Sequence, residues 1–242
     1  LWLGLPPLFS WLIRVSERGS VRHVLSGHYV LLGYGRVGQA LAHDLLSRPR
    51  AEQRAIVIVD NNSETAHHYA VRRAGAIVLE YDAQDPAVLD EVAAHRARGI
   101  LVATGSSSRN IDITGELAGR LEFLNRSYSS LCHRPKIVPH IAERHMMEWV
   151  ASDAGNCWRA GAKEDASKYR PQIWPFSAEQ TAARHVLAEY PIAEHARLRG
   201  AKRPHIVLLG FDSVGEWLLP MLFQMGRMRG LAGPRITLVL DA

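Results

Sequence analysis

The chain has 242 residues, 47% hydrophobic and 22% charged, which is the composition of an ordinary globular protein and excludes a disordered or fibrous one. Its two cysteines, Cys132 and Cys157, are too few for a disulfide framework and favour a reducing compartment. The net charge of +5 comes from scattered arginines without interleaved aromatic residues, so we expect no nucleic-acid partner.

The first segment, residues 1–27, opens with an apolar, tryptophan-rich stretch that ends near Ile13. This stretch is shorter than the roughly 20 residues that span a bilayer. Arg14, Arg18 and Arg22 follow it, and this order is typical of the cytoplasmic exit of a membrane helix. We interpret the segment as membrane-proximal or as a linker within a longer protein. A buried amphipathic segment packed on its own domain is the alternative.

Residues 28–150 alternate apolar runs with helical segments, which predicts an α/β fold: a doubly wound parallel sheet (Rossmann-type) in the order 3-2-1-4-5. Pro139 in the last strand predicts an edge position. The predicted strands are Tyr29–Leu32, Ala55–Val59, Ile77–Leu79, Gly99–Ala103 and Lys136–Ile141. Helices are predicted from the glycine-rich turn to Leu46, from a cap at Asn62 or Ser63 to Gly75, after Asp85–Pro86, and from Asn110 to about Leu124.

The second half of the chain contains an internal repeat. The segment 151–204 is predicted to be a linker with one helix, which a capping box at Ser177 opens and which ends near Glu189. Residues 205–215 then match residues 28–38 at seven of eleven positions, and a strand ending in aspartate follows each copy, at Asp60 and Asp241. We interpret 205–242 as the truncated start of a second Rossmann-like unit.

The turn after the first strand has the pattern G-x-G-x-x-G, formed by Gly33, Gly35 and Gly38 with Tyr34, Arg36 and Val37 between them. Such glycines allow a tight turn, close approach of a pyrophosphate and close helix–strand packing, while the helix N-terminus faces the phosphates. Asp60 ends the next strand, where it can accept hydrogen bonds from ribose hydroxyls and repel a 2′-phosphate. We therefore predict that NAD(H) is bound in preference to NADP(H), with other adenine nucleotides left open.

Further candidates lie where the other strands end, because ligands bind at the carboxyl edge of such sheets. Asp82 reaches the adenine amino group or serves as a turn carboxylate, and Asn110 is a helix cap or a ligand contact. The predicted cofactor-binding set also includes Asn61, Ala83, Ala103 and Thr104.

Other positions are predicted to lack a ligand. Asp212 replaces the middle glycine in the second copy and places a side chain and a negative charge where phosphates would lie, so no dinucleotide is expected there. The pair His67–His68 is predicted to lie on a solvated helix. His140 and His145 are five residues apart, a poor metal-ligand spacing on one helix, so no metal is predicted. A metal site that combines them with Cys132 and His133 is the alternative.

The first unit resembles the TrkA-N domain, the nucleotide-binding core of modules that regulate potassium conductance (RCK). The resemblance rests on the glycine turn, on the strand ending in Asp60, on Asp82 after the third strand, and on Thr104 and Asn110. It departs from the family at Tyr81, at the serines 106–108 and at His140, where the family usually has a glycine, an acidic residue and an arginine. The second unit is similar, more loosely, to the duplicated Rossmann arrangement of large-conductance and Castor-like channel gating assemblies.

The resemblance implies a regulatory domain rather than an enzyme, on the cytoplasmic face of the cell membrane. It would sense NAD(H) or another adenine nucleotide and gate a potassium channel or transporter. The implied partners are a membrane pore or transporter subunit, expected in the same chain, and further copies in a dimer or larger homo-oligomer. The alternative is a fragment of an NAD-dependent oxidoreductase that lacks its substrate domain.

Overall fold

The structure is a computed structural model that describes residue 21 and residues 25–49, 54–61, 66–127, 135–152, 171–225 and 231–240. The apolar leader, the predicted caps Asn62 and Ser63, both cysteines and Asp241 lie outside these residues. The chain divides into two compact units, one formed by Leu1–His140 with Asp153–Phe176 and the other by Ile141–Ser152 with Ser177–Ala242. This division places residues 141–150 in the second unit, whereas the sequence pattern predicted them as part of the first.

The first unit alternates strands and helices along most of its length. Its strands are β1 (Tyr29–Leu32), β2 (Ile56–Asp60), β3 (Ile77–Glu80), β4 (Gly99–Val102), β5 (Lys136–Pro139) and β6 (Gln172–Ile173). Its helices are α1 (Arg36–Leu46), α2 (Ala66–Arg73), α3 (Val88–Glu91) and α4 (Ser107–Ser127), with a 3₁₀ turn at Ala94–Arg96.

All six strands of the first unit pair in parallel, in the order β3-β2-β1-β4-β5-β6. The predicted fold class and the predicted order of the first five strands are therefore confirmed. The strands are apolar without alternation because helices cover both faces of the sheet. Val30, Leu32 and Ile100 pack on one face with α3 and α4, while Leu31 and Ile58 pack on the other with α1 and α2.

The predicted edge position of Pro139 is wrong, because β6 pairs with β5 and makes it the fifth strand of six. The strand tolerates a proline because β6 is only two residues long and Pro139 lies beyond its end. Phe176 donates its backbone N–H to the Pro139 carbonyl at 3.0 Å. In a parallel strand, the nitrogen and oxygen of one residue point to the same side. The missing N–H of Pro139 therefore costs no hydrogen bond to β4.

Two helix boundaries differ from the sequence prediction. Asp85 accepts a hydrogen bond from the Ala87 N–H at 2.9 Å in a turn, and α3 begins only at Val88. Helix α4 begins at Ser107, so Asn110 lies inside the helix and the helix-cap alternative for it is wrong. Among the described residues, no helix is long and apolar enough to cross a membrane.

The second unit contains more helix than was predicted. It has the helices α5 (Arg144–Ala151), α6 (Ala178–Glu189), α7 (Ile192–Leu198) and α8 (Ser213–Met225), and the parallel strands β7 (His205–Leu209) and β8 (Arg235–Val239). Ser177 caps α6 by accepting the Gln180 N–H at 3.0 Å, as its capping signal predicted. Helix α7, directly after Pro191, was not predicted.

We predict that acidification destabilises the protein through His28, which is 1% exposed and contacts the Val92 carbonyl through Nε2 at 2.8 Å. Burial lowers the pKa of His28 below its usual 6.5. Below pH 6.5 the unfolded chain therefore binds more protons than the folded one. The free energy of unfolding decreases as the pH is lowered, by at most about 1.4 kcal/mol per pH unit for one histidine. Urea unfolding between pH 7.5 and 5.5 measures this slope.

The matched variants for this test are His28→Gln, which keeps an N–H donor but does not titrate, and His43→Gln, which changes an exposed histidine of α1. The slope should become shallower only in the first. Equal slopes in both variants and the parent protein would disprove the role of His28.

Candidate nucleotide-binding site

A cleft of about 370 Å³ lies where β1, β2 and β4 end in the first unit. In a doubly wound sheet this is the crevice where ligands bind, because the connections leave β1 and β4 in opposite directions. Eight of the predicted site residues line it: Gly33, Tyr34, Gly35, Asp60, Asn61, Asp82, Ala83 and Thr104. Five lining residues were not predicted: Gln39, Val59, His67, His68 and Arg109.

Two glycines of the turn are required by the packing of the protein itself. Gly33 has φ +93°, and a Cβ atom there would lie 2.6 Å from both the Ala103 carbonyl oxygen and Thr104 Cα. A Cβ on Gly38 would collide with the Gly33 carbonyl. These glycines therefore let the β1 turn lie against the end of β4 and let α1 begin directly behind it.

Gly35 differs from the other two, because its φ is −71° and a Cβ atom there would meet no described atom within 4 Å. The fold therefore does not require glycine at this position. The backbone at Gly35 faces the open cleft just before α1 begins, where the free N–H groups and the helix dipole favour an anion. A glycine here would leave room for a ligand that approaches the backbone closely, as a pyrophosphate does.

The Asp60 carboxylate is fixed at the end of β2. Its Oδ2 accepts the backbone N–H of Tyr34 at 2.7 Å, and its side chain is 17% exposed. A charged acceptor that is already held in place loses little conformational entropy when a ligand binds. The carboxylate is thus oriented for a donor such as a ribose hydroxyl, on the β2 side of the turn.

His68 corrects the prediction that the histidine pair lies on a solvated helix. His67 is exposed, but His68 is only 3% exposed, with its ring 4.9 Å from the Tyr34 ring and Nε2 4.0 Å from Asp60 Oδ2. Burial lowers the pKa of His68, and the Asp60 charge opposes this shift. The helical spacing of α2 places His68 toward the sheet, and a period-3.6 pattern could have indicated this.

The structure supports the turn-carboxylate interpretation of Asp82. Its Oδ1 accepts the Gln84 N–H at 3.0 Å, which makes it a turn carboxylate, and the residue also lines the cleft. Asn61 and Ala83 follow β2 and β3 in the same cleft. Whether these residues contact a ligand stays a prediction.

Asn110 links three elements of the first unit. It is fully buried, and its Oδ1 accepts both the Thr104 N–H at 2.9 Å and the Thr104 hydroxyl at 2.7 Å. Its Nδ2 donates to the His140 carbonyl at 2.8 Å. The side chain therefore connects the ends of β4 and β5 through α4, and its burial leaves Thr104, not Asn110, at the cleft surface.

The remaining predicted residues lie beside the cleft rather than in its lining. Arg36 is exposed at the start of α1, Val37 packs against the core under α1, and Ala103 is 2% exposed. Together with Gly38 and Asn110, they shape the backbone around the cleft. Arg109 was not predicted, although it had the clearest signal in the sequence: it is a cation in the first turn of α4, just after Thr104.

The second copy of the turn has a different geometry. Asp212 Oδ1 accepts the N–H groups of Val214 and Gly215, both at 3.0 Å, at the start of α8. These are the donors that would face a phosphate in the first unit. Asp212 therefore satisfies the helix N-terminus itself, which adds a physical reason to the prediction that no dinucleotide binds there.

The alternative given for His140 and His145 was a metal site completed by Cys132 and His133. Among the described residues, no group of three or more histidine, cysteine, aspartate or glutamate side chains could hold a metal ion. Cys132 and His133 lie outside those residues, and the His140 ring contacts Phe176 at 5.3 Å.

Comparison with known families and structures agrees with this geometry. Residues 29–124 match the family model of the TrkA-N domain. This segment is therefore similar to the TrkA-N domain. An uncharacterized protein of Methanothermus fervidus is 30% identical over 92 residues, which are 38% of this chain and 14% of that protein.

Solved structures of GsuK are similar over most of the chain. The structure titled GsuK bound to ADP has a TM-score of 0.55 at 17% identity and covers 89% of this chain and 44% of its own. The GsuK channel has a TM-score of 0.56 at 16% identity, and the match covers 91% of this chain and 49% of the GsuK chain. At these identities the likeness shows the fold alone, and the chain spans less than half the length of these proteins.

We predict that Gly33→Ala destabilises the protein by about 1–3 kcal/mol or more, because the new Cβ meets Ala103 and Thr104 and the residue is forced into a left-handed conformation. Gly35→Ala is the matched control and should change the free energy of unfolding by less than about 1 kcal/mol. Chemical denaturation of both variants measures the difference. Similar losses in the two would show that the turn is not packed as described.

Proposed function

We propose that the protein is a cytoplasmic nucleotide-binding regulatory domain of a potassium channel or transporter, which senses NAD(H) or another adenine nucleotide and gates ion flux. The observation that carries this proposal is the pairing of a fixed acceptor with an open anion position. Asp60 is held by the Tyr34 N–H, and beside it Gly35 exposes the backbone at the start of α1. An adenosine ribose on Asp60 and a diphosphate over Gly35 fit this pair.

The comparisons support the regulatory context. The matching family model is that of the TrkA-N domain, one similar structure is titled as the GsuK channel, and another is titled as GsuK bound to ADP. The match to the family model supports a regulatory role in ion transport, and the pore would belong to the same chain or to a partner subunit at the membrane.

Regulation by such a domain depends on a difference in ligand affinity between two states of an assembly. A nucleotide that makes better contacts in one arrangement shifts the population toward it, by no more than that difference allows. We propose that copies of this chain form a dimer or larger assembly and that the nucleotide biases the conformation of the attached pore.

We propose that the second unit offers apolar surface for such an assembly. Trp217 and Leu222 of α8 are 6% and 1% exposed and form interior contacts. Phe211 and Phe223 are 41% and 61% exposed, and Leu209 of β7 is 80% exposed. The exposed residues of this group are the ones available for contact with another chain.

An oxidoreductase fragment is the second candidate, and one observation favours it. His67 lines the cleft and His68 lies 4.0 Å from Asp60, so groups able to transfer a proton stand near the proposed ribose position. The same Rossmann fold is shared with hydride-transfer enzymes.

We predict that Asp60→Ala weakens NAD(H) binding by about 1.5–3 kcal/mol, the usual worth of hydrogen bonds to a charged group. Asp44→Ala removes an exposed carboxylate of α1 that pairs with Arg48, away from the cleft, and should leave the affinity unchanged. Gly35→Asp should abolish binding while the protein stays folded, because it copies the second turn. Calorimetry measures all three variants, and a native preference for NADP(H) would contradict the role of Asp60.

We predict no turnover of NADH with a panel of carbonyl substrates, and a dimer or larger species in light scattering or ultracentrifugation. Sustained nicotinamide-dependent turnover would establish the oxidoreductase instead. A strict monomer at high concentration, with and without nucleotide, would remove the gating mechanism.

A further inference from the structure

The hydrogen positions around Asn110 are determined by the chemistry of its neighbours. The His140 carbonyl can only accept, so the Asn110 atom 2.8 Å from it is the amide nitrogen. The Thr104 N–H can only donate, so the atom 2.9 Å from it is the amide oxygen. Both ends of the amide are thus assigned independently, and the two assignments agree.

The direction of the Thr104 hydroxyl follows from this assignment. Its oxygen lies 2.7 Å from Asn110 Oδ1, and an amide oxygen cannot donate, so the hydroxyl proton is given to Asn110. The hydroxyl then has only lone pairs left for other partners. Thr104 is partly exposed and lines the cleft, so it presents an acceptor there and no donor.

Thr104 stands on the opposite side of the glycine turn from Asp60. Strand β1 lies between β2, which Asp60 ends, and β4, which Thr104 follows. The end of β4 touches the turn directly, since a Cβ on Gly33 would lie 2.6 Å from Thr104 Cα. A ligand with its adenosine on Asp60 and its diphosphate over the turn would therefore extend its far end toward Thr104.

The far end of the ligand decides whether this contact is favourable. In NAD(H) and ADP-ribose, a second ribose follows the diphosphate and carries hydroxyl donors. In ADP, the terminal phosphate oxygens are acceptors, and two acceptors facing each other gain nothing. Arg109 in the same cleft attracts the diphosphate of either ligand and does not distinguish them.

We infer that Thr104, oriented by Asn110, is a specificity-determining residue that selects a nucleotide with a hydroxyl-bearing group beyond its diphosphate over one that ends in phosphate. The inference rests on the proposed nucleotide site and names its ligand class, an ADP-ribosyl compound such as NAD(H). Thr104 acts by contact with the ligand, and Asn110 is its positioning residue.

The test compares ADP-ribose, NAD⁺ and ADP by calorimetry on the 242-residue chain and on Thr104→Val and Thr104→Ser. The wild type should bind ADP-ribose and NAD⁺ more tightly than ADP. Thr104→Val should lower the affinity for ADP-ribose and NAD⁺ about five- to tenfold, the worth of a neutral hydrogen bond, and leave ADP unchanged. Thr104→Ser keeps the hydroxyl and should keep the preference.

The valine variant is expected to fold, because Asn110 Oδ1 keeps its bond to the Thr104 N–H, and thermal unfolding checks this. If the variant does not fold, Thr104→Ala, which also lacks the hydroxyl, is the second probe. It should lose affinity for ADP-ribose as the valine variant does, whereas an unchanged preference for ADP-ribose over ADP in it would overturn the inference.

The outcomes separate the inference from the proposed function. Equal losses for ADP and ADP-ribose in Thr104→Val, or a wild type that prefers ADP, would overturn the role of Thr104 and leave the nucleotide site in place. If none of the three ligands binds the wild type, or if those that bind lose no affinity on Asp60→Ala, the proposed nucleotide site itself is wrong.

Discussion

The site depends on the close approach of the β1 turn to the end of β4. Without a side chain on Gly33, the turn lies against the backbone of Ala103 and Thr104, and without one on Gly38, helix α1 starts directly behind it. The approach brings the end of β2, the helix N-terminus and the end of β4 to the same cleft. As a result, the Asp60 carboxylate, the N-terminus of α1 at Gly35 and the Thr104 hydroxyl follow one another across the cleft.

The strand order and the position of the glycine turn could be predicted because they rest on local signals. Buried parallel strands such as β1 and β2 are continuous apolar runs, and the glycine spacing has a direct steric cause. The position of Asp60 at the end of β2 could be predicted from a local signal too, because the aspartate directly follows an apolar run at a short distance in sequence from the glycine turn. Strand β6 could not be predicted, because two residues without an apolar pattern give no signal of their own.

The errors at the site come from contacts between residues that are distant in sequence. The helix-cap alternative for Asn110 is wrong because the side chain bonds Thr104 and His140 instead, 6 and 30 residues away, while its contact with a ligand stays a prediction. His68 was expected to be solvated, but the Tyr34 ring, carried by another element, covers it. Such partners become visible only when the fold brings strand ends together.

The contrast between the two turns has a consequence for how a duplicated unit can diverge. Gly210 retains a positive φ of 77°, and a Cβ on Gly215 would lie 3.1 Å from the Phe211 ring, so backbone conformation at the first position and a tight contact at the second still favour glycine. The middle position is the one that the fold leaves unconstrained, as Gly35 shows. Once a copy is released from selection for binding, mutation there meets no penalty in folding, and an aspartate even gains a helix cap. A substitution at this residue can therefore change the phosphate-binding surface of a unit while its fold is kept.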